Sequence, residues 1–280
     1  MEDGIRSHGL AWMAALAVPL LGGCAVRAES NGPAAITELV VTAEEFRFQA
    51  VDTIAEGFTR IRLVNKGSQG HHLQLLRLED GHTAEEVLEH ARRGELITPW
   101  LHFVGGPSVP APGAASEVTV ELEPGEYLMV CYMPSGGVPH LLMGMTRRLV
   151  VVPSPARPAV EPRVDARLTL DSYSFDITPA LHAGRRVIRV KNVAVEPHEA
   201  GFVRVSRGRT AADVLRWLRQ KDGPPPFEPA GGTMVLSRSE VSFVTADFFP
   251  GEYVLLCYVP DTRDGRPHVA HGMVRVIRVE

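Results

Sequence analysis

GEYLMVCYMPSGGVPHLLMGM runs from Gly125 to Met145, and GEYVLLCYVPDTRDGRPHVAHGM from Gly251 to Met273. Each stretch reads as a strand ending in cysteine, then a loop carrying Pro-His, then Gly-Met. Thiolate, imidazole and thioether are the soft and borderline donors that suit copper.

The repetition extends well beyond this motif. Glu45-Phe46-Arg47-Phe48 answers Ser172-Tyr173-Ser174-Phe175, and Ala55-Glu56-Gly57 answers His182-Ala183-Gly184. Asn65 and His71 are matched by Asn192 and His198, Thr83 by Thr210, and Gly105-Gly106 by Gly231-Gly232. An almost constant offset over this length implies a duplicated unit of about 115 residues, a comfortable size for a domain. The expected boundaries are 36–153 and 164–280, joined by a stiff linker at 154–163 within a segment with prolines at 153, 155, 158 and 162.

The chain before residue 36 reads differently. Gly9 to Gly23 is almost wholly apolar, too short to span a bilayer comfortably but right for the core of an export signal. It closes on Leu21-Gly22-Gly23-Cys24, which resembles the bacterial lipoprotein processing box. Residues 1–24 are therefore expected to be a signal peptide ending at a lipidated Cys24, and 25–35 a tether. That predicts a protein of the bacterial cell envelope, held to a membrane by acyl chains and facing the periplasm or exterior.

Composition suits an exported body: 45% of residues are hydrophobic, and a pI near 6.3 argues against a nucleic-acid partner. The halves differ in sign, with 9 basic and 15 acidic residues over 35–153 against 16 and 14 over 164–280. Cys131 and Cys257 occupy equivalent places in separate repeats, so a disulfide between them is not expected.

Within each repeat the dominant period is two. Arg60 to Val64, Arg186 to Lys191 and Val118 to Leu122 alternate as half-buried antiparallel strands do. The fold class predicted is all-β, two tandem Greek-key β-sandwiches, each with one short inserted helix. Thr83 with Glu86 and Thr210 with Asp213 mark the two helix starts. Those helices are expected to pack on the sheet from the surface.

In the N-x5-H segments, the GEY…C strands and the Pro-His…Gly-Met loops, each repeat resembles a cupredoxin, the blue-copper fold. The Pro-His-x3-Gly-Met ending is similar to that of the pseudoazurin branch. The resemblance implies one copper held by His71, Cys131 and His140 with Met145 as a weak axial ligand, and a second held by His198, Cys257 and His268 with Met273. The sequence departs from the family in one respect. Eight residues separate Cys131 from His140 and ten separate Cys257 from His268, where the family usually has two to four. Turn residues in both insertions predict protruding hairpins with adjacent ends.

The function expected is single-electron transfer by type 1-like copper, with His140 and His268 as exits to a redox protein partner. A metal-free binding module and a copper-buffering protein are the alternatives. Paired His-x-His segments and His-Cys-His, which multicopper oxidases need, are absent, so the chain is expected not to be an enzyme. His72 and His271 read as solvent-exposed bystanders, and His82, His90 and His102 carry no assignment.

Overall fold

The computed structural model describes residues 35–155 and 159–280. Cys24, the leader and most of the tether therefore lie outside the described residues, as does part of the Pro-rich linker. The alternation read from the sequence becomes strand. In Gly57–Asn65 the side chains of Thr59, Ile61, Leu63 and Asn65 are buried, while Arg60 and Arg62 face outward. Arg186 to Lys191 lies within Gly184–Asn192, and Val118 to Leu122 within Ala115–Leu122.

Two sheets face each other through the chain. One has eight strands and the other nine, and each takes strands from both repeats. Thr37–Glu44 runs parallel to Gly57–Asn65, as Ala166–Asp171 does to Gly184–Asn192, whereas the remaining neighbours of these strands are antiparallel. The result is an all-β sandwich repeated once. The helices Ala84–Arg92 and Ala211–Gln220 both start with a capping box, on Thr83 with Glu86 and on Thr210 with Asp213. Val87 and Ala91, then Ala211 and Val214, are the buried residues of these helices.

The repeats join edge to edge in both sheets. In the eight-stranded sheet, Ala115–Leu122 pairs antiparallel with Val241–Phe248, and Val118 stands opposite Val244, its own repeat mate. In the nine-stranded sheet, Pro107 bridges its mate Thr233. The Met234 N–H donates to the Gly106 carbonyl at 2.8 Å, and the Ser108 N–H to the Gly232 carbonyl at 3.2 Å. Residues that meet their own mates define a two-fold relation, the geometry of an isologous interface within one chain. Glycine is required at this seam. A Cβ on Gly106 would lie 2.0 Å from the Leu73 carbonyl oxygen, and one on Gly232 2.3 Å from that of Ala200.

Candidate metal centre

Asn65 ends the strand Gly57–Asn65 and turns the chain toward His71. Its buried amide donates to the carbonyls of Gln69 and Pro110 at 2.8 and 3.3 Å, and its oxygen accepts the Gly67 N–H at 3.0 Å. Asn192 repeats this with Glu196, Leu236 and Ala194, at 2.9, 2.9 and 3.0 Å. Each asparagine thus staples the loop, or turn, that presents a histidine.

Cys131 follows the strand Gly125–Val130, and the insertion after it folds back on itself. Pro134–Ser135 pairs with Val138–Pro139 across Gly136 and Gly137, whose φ values of 58 and 82° suit a two-residue hairpin turn. The His140 N–H then donates to the Met133 carbonyl at 2.8 Å, and the Leu141 N–H to that of Cys131, also at 2.8 Å. The longer second insertion closes in the same way. Pro260 bridges Pro267, and the N–H groups of His268 and Val269 bond to Val259 and Cys257 at 2.9 and 2.8 Å. The extra residues bulge outward, and cysteine and histidine stay neighbours.

The three donors converge in both halves. His71 Nδ1 and His140 Nδ1 are 3.2 Å apart, with Cys131 Sγ 3.5 Å from His140 Nδ1. His198 Nδ1 and His268 Nδ1 are 2.9 Å apart, with Cys257 Sγ at 4.0 and 3.5 Å from them. Donors at roughly 2 Å from one ion, spread trigonally, lie roughly 3.5 Å from each other. Both clusters have that spacing around a centre able to hold a metal. The Nε2 atoms of His71, His140 and His198 are buried without a hydrogen-bond partner, which leaves the Nδ1 lone pairs as the functional ends. His71 Nε2 faces Glu45 Oε1 at 3.9 Å.

Met145 and Met273 are wholly buried beside these clusters. The Met145 N–H donates to His140 and its carbonyl accepts from Cys131, at 2.9 and 3.3 Å, so its backbone is tied between two of the donors. Met273 donates to His268 at 3.0 Å. Cys131 and Cys257 carry free thiols.

Burial sets the electrostatics. It lowers the pKa of His71 and His140 and takes His198 down to about 4, with His268 adding to the effect there. The same burial pushes the Cys131 thiol up to about 11 and raises Cys257 further. These are neutral imidazoles with available lone pairs beside thiols that need a cation to ionise. The donor set, its spacing and its electrostatics all fit copper.

One aromatic ring closes each site. Phe46 meets His140 edge-on at 5.0 Å, and Tyr173 meets His268 at 5.1 Å. Both are the second residue of a two-residue turn, with φ of 59 and 54°. A bulky side chain in this left-handed region is uncommon, and here it occurs twice at one place. The pairing of these residues was visible in the repeat, but their position over the ligands was not.

His72 is not an exposed bystander. It is buried, and its Nε2 accepts the Tyr132 N–H at 2.8 Å. Its mate Glu199 accepts the Tyr258 N–H at 2.7 Å, and burial raises that carboxyl to about 7. His271 is only partly exposed and pairs with Asp264 at 3.2 Å. Close by, Asp261 accepts from Tyr173 Oη at 2.5 Å and from Arg263 Nη2 at 2.7 Å.

No protein-family model and no curated protein matches this chain. Solved structures do. Auracyanin from Roseiflexus castenholzii is 18% identical over 44% of this chain and 100% of its own, with a TM-score of 0.32. The copper nitrite reductase of Nitrosomonas europaea is 12% identical over 88% of this chain and 94% of its own, with a TM-score of 0.27. The blue copper oxidase of the same organism is 14% identical over 88% and 86%, with a TM-score of 0.25. The expectation that this chain is not an enzyme is therefore withdrawn. Structures similar across most of its length are copper oxidases and reductases, and the motif argument excluded only one kind of cluster.

Proposed function

We propose that each cluster holds one copper ion, at His71, Cys131, His140 and Met145 and at His198, Cys257, His268 and Met273, and that the protein transfers single electrons. Bound copper supplies the Cu(II)/Cu(I) couple. The observation that carries the reading is the double convergence of two imidazole Nδ1 atoms and one thiol at trigonal spacing. All eight side chains are at most 1% exposed, which favours fixed sites over a copper buffer working through surface residues. The chain's own part is to hold these donors still. Asn65 and Asn192 fix the first histidine of each set, the pinched hairpins fix the second, and Phe46 and Tyr173 exclude water from one side.

The two exits differ. Near His140 the surface is apolar, with Val138 and Met143 44 and 39% exposed, while near His268 it carries Arg263, Asp264 and His271. A redox protein partner docks, in this reading, on the apolar rim around His140. The protein is exported and lipidated at Cys24, so Cys24→Ala is expected to move it from the membrane fraction to the soluble one. Among the described residues no helix is long and apolar enough to cross a membrane.

The test is copper content and visible absorption of the purified chain after one and then two equivalents of Cu(II). An intense thiolate-to-copper band is expected, with Cys131→Ala and Cys257→Ala each removing one site's share. A protein that binds copper without colour sinks the proposal.

A further inference from the structure

At the seam an open cleft of about 730 Å³ lies between the halves, walled by Leu96, Phe103 and Tyr132 from the first and Trp217, Phe227 and Tyr258 from the second. Its size and apolar, aromatic wall are those of a small-molecule site. The repeat mates His72 and Glu199 both line it. They make equivalent hydrogen bonds, to the N–H groups of Tyr132 and Tyr258, yet one is an imidazole and the other a carboxylate.

Glu199 is the unbalanced member. Its Oε1 takes one backbone N–H, and among the described residues no lysine, arginine or histidine pairs with it. Gly201 shares its face of the strand His198–Val205 and has no side chain to cover it. The rings of this cavity already accept an ammonium. Lys221 Nζ stands 4.4 Å from the Trp217 ring centre and 4.3 Å from that of Tyr258, and it donates to Tyr258 Oη at 2.6 Å. A carboxylate in such surroundings is costly without a cation, and aromatic faces attract organic cations. A molecule bringing a cation on an apolar body answers both features.

We infer that the cavity binds a small organic ammonium ion carrying an apolar ring, with its nitrogen on Glu199 and its ring among the aromatic side chains. None of the eight proposed copper ligands lines the cavity, although Glu199 and Tyr258 adjoin His198 and Cys257 in the chain, and the inference does not require copper to be bound.

Isothermal titration calorimetry on the full chain, metal-free and copper-loaded, at about pH 7.5, tests this with 2-phenylethylamine, 2-phenylethanol and phenylacetate as probes. The amine is expected to bind at least about tenfold tighter than the alcohol, the worth of one hydrogen-bonded charge, and phenylacetate weakest. Glu199→Gln is expected to bring the amine down to the alcohol's affinity. Val203→Trp, whose indole fills the cavity, is expected to abolish binding of both. Leu96→Trp fills the cavity from the opposite half and repeats the test should the first filled variant lose its β-sheet circular dichroism. Equal affinity of amine and alcohol for the unmodified protein, no heat up to about 10 mM amine, or undiminished binding to a folded filled variant overturns the assignment.

Discussion

Asn65 shows how one side chain can set a metal ligand without touching the metal. Two of its hydrogen bonds close the turn before His71 and a third ties that turn to Pro110, so Asn65→Ala leaves two carbonyls and one N–H without their partner. The expected cost is about 2 to 3 kcal/mol in a denaturant melt. Copper affinity at the first site is expected to fall about tenfold or more, read by competition with a chelator. The second site should be unchanged, because Asn192 does the same work independently. The N-x5-H spacing was legible in the sequence because it is local. The covering role of Phe46 and Tyr173 was not, since a hairpin turn brings them over ligands that lie far along the chain. His72 was misread for a related reason. Its side chain does leave the His71 face, as alternation demands, but there it accepts the Tyr132 N–H and lines the cavity at the seam instead of facing open solvent.

Among the elements, the two insertions decide whether a lengthened loop can still serve a compact site. A tight hairpin answers this in the first half, and it depends on two residues with positive φ. A Cβ on Gly136 or Gly137 would meet nothing within 4 Å. Substitution there probes backbone conformation alone. Gly136→Ala and Gly137→Ala are each expected to cost about 1 to 2 kcal/mol, the price of a left-handed L-residue, with Ser135→Ala as a neutral reference. Thermal melts of the metal-free protein read this directly. The turn residues in the sequence announced a hairpin, and the structure has one. The bonds that pinch its base, from His140 to Met133 and from Leu141 to Cys131, join backbone to backbone and leave no mark in residue type. The capped helices were legible to the residue, because a capping box is a sequence pattern with one geometry.

For the whole molecule, the sequence led to two sandwiches in tandem, and the structure shows their sheets running together. Nothing in hydrophobic alternation reports which edge strand meets which, so the seam was beyond reach of the pattern. Its polar contacts give it a pH dependence. His102 meets Glu240 of the other half at 2.9 Å, and that hydrogen bond raises the imidazole's pKa above its ordinary 6.5. Partial burial and Arg77 oppose the shift, and Glu79 adds to it. The folded protein therefore holds this proton more tightly than the unfolded chain does. The stabilisation is complete below 6.5 and is lost as pH rises through the raised value. Melting temperature measured from about pH 6 to about pH 8.5 is expected to fall by more in the native protein than in His102→Gln. Parallel profiles would remove His102 from the account.

Val118 facing Val244 and Pro107 facing Thr233 carry a further consequence. In a two-fold homodimer every substitution is inherited twice, once in each subunit, so both centres must change together. Here the same symmetry lies within one chain, and each half can be altered alone. Phe46 against Tyr173, His72 against Glu199 and a glycine hairpin against a charged one are divergences that a dimer of identical subunits could not hold. Within one chain, the two centres are free to differ from each other in ways that two identical subunits are not.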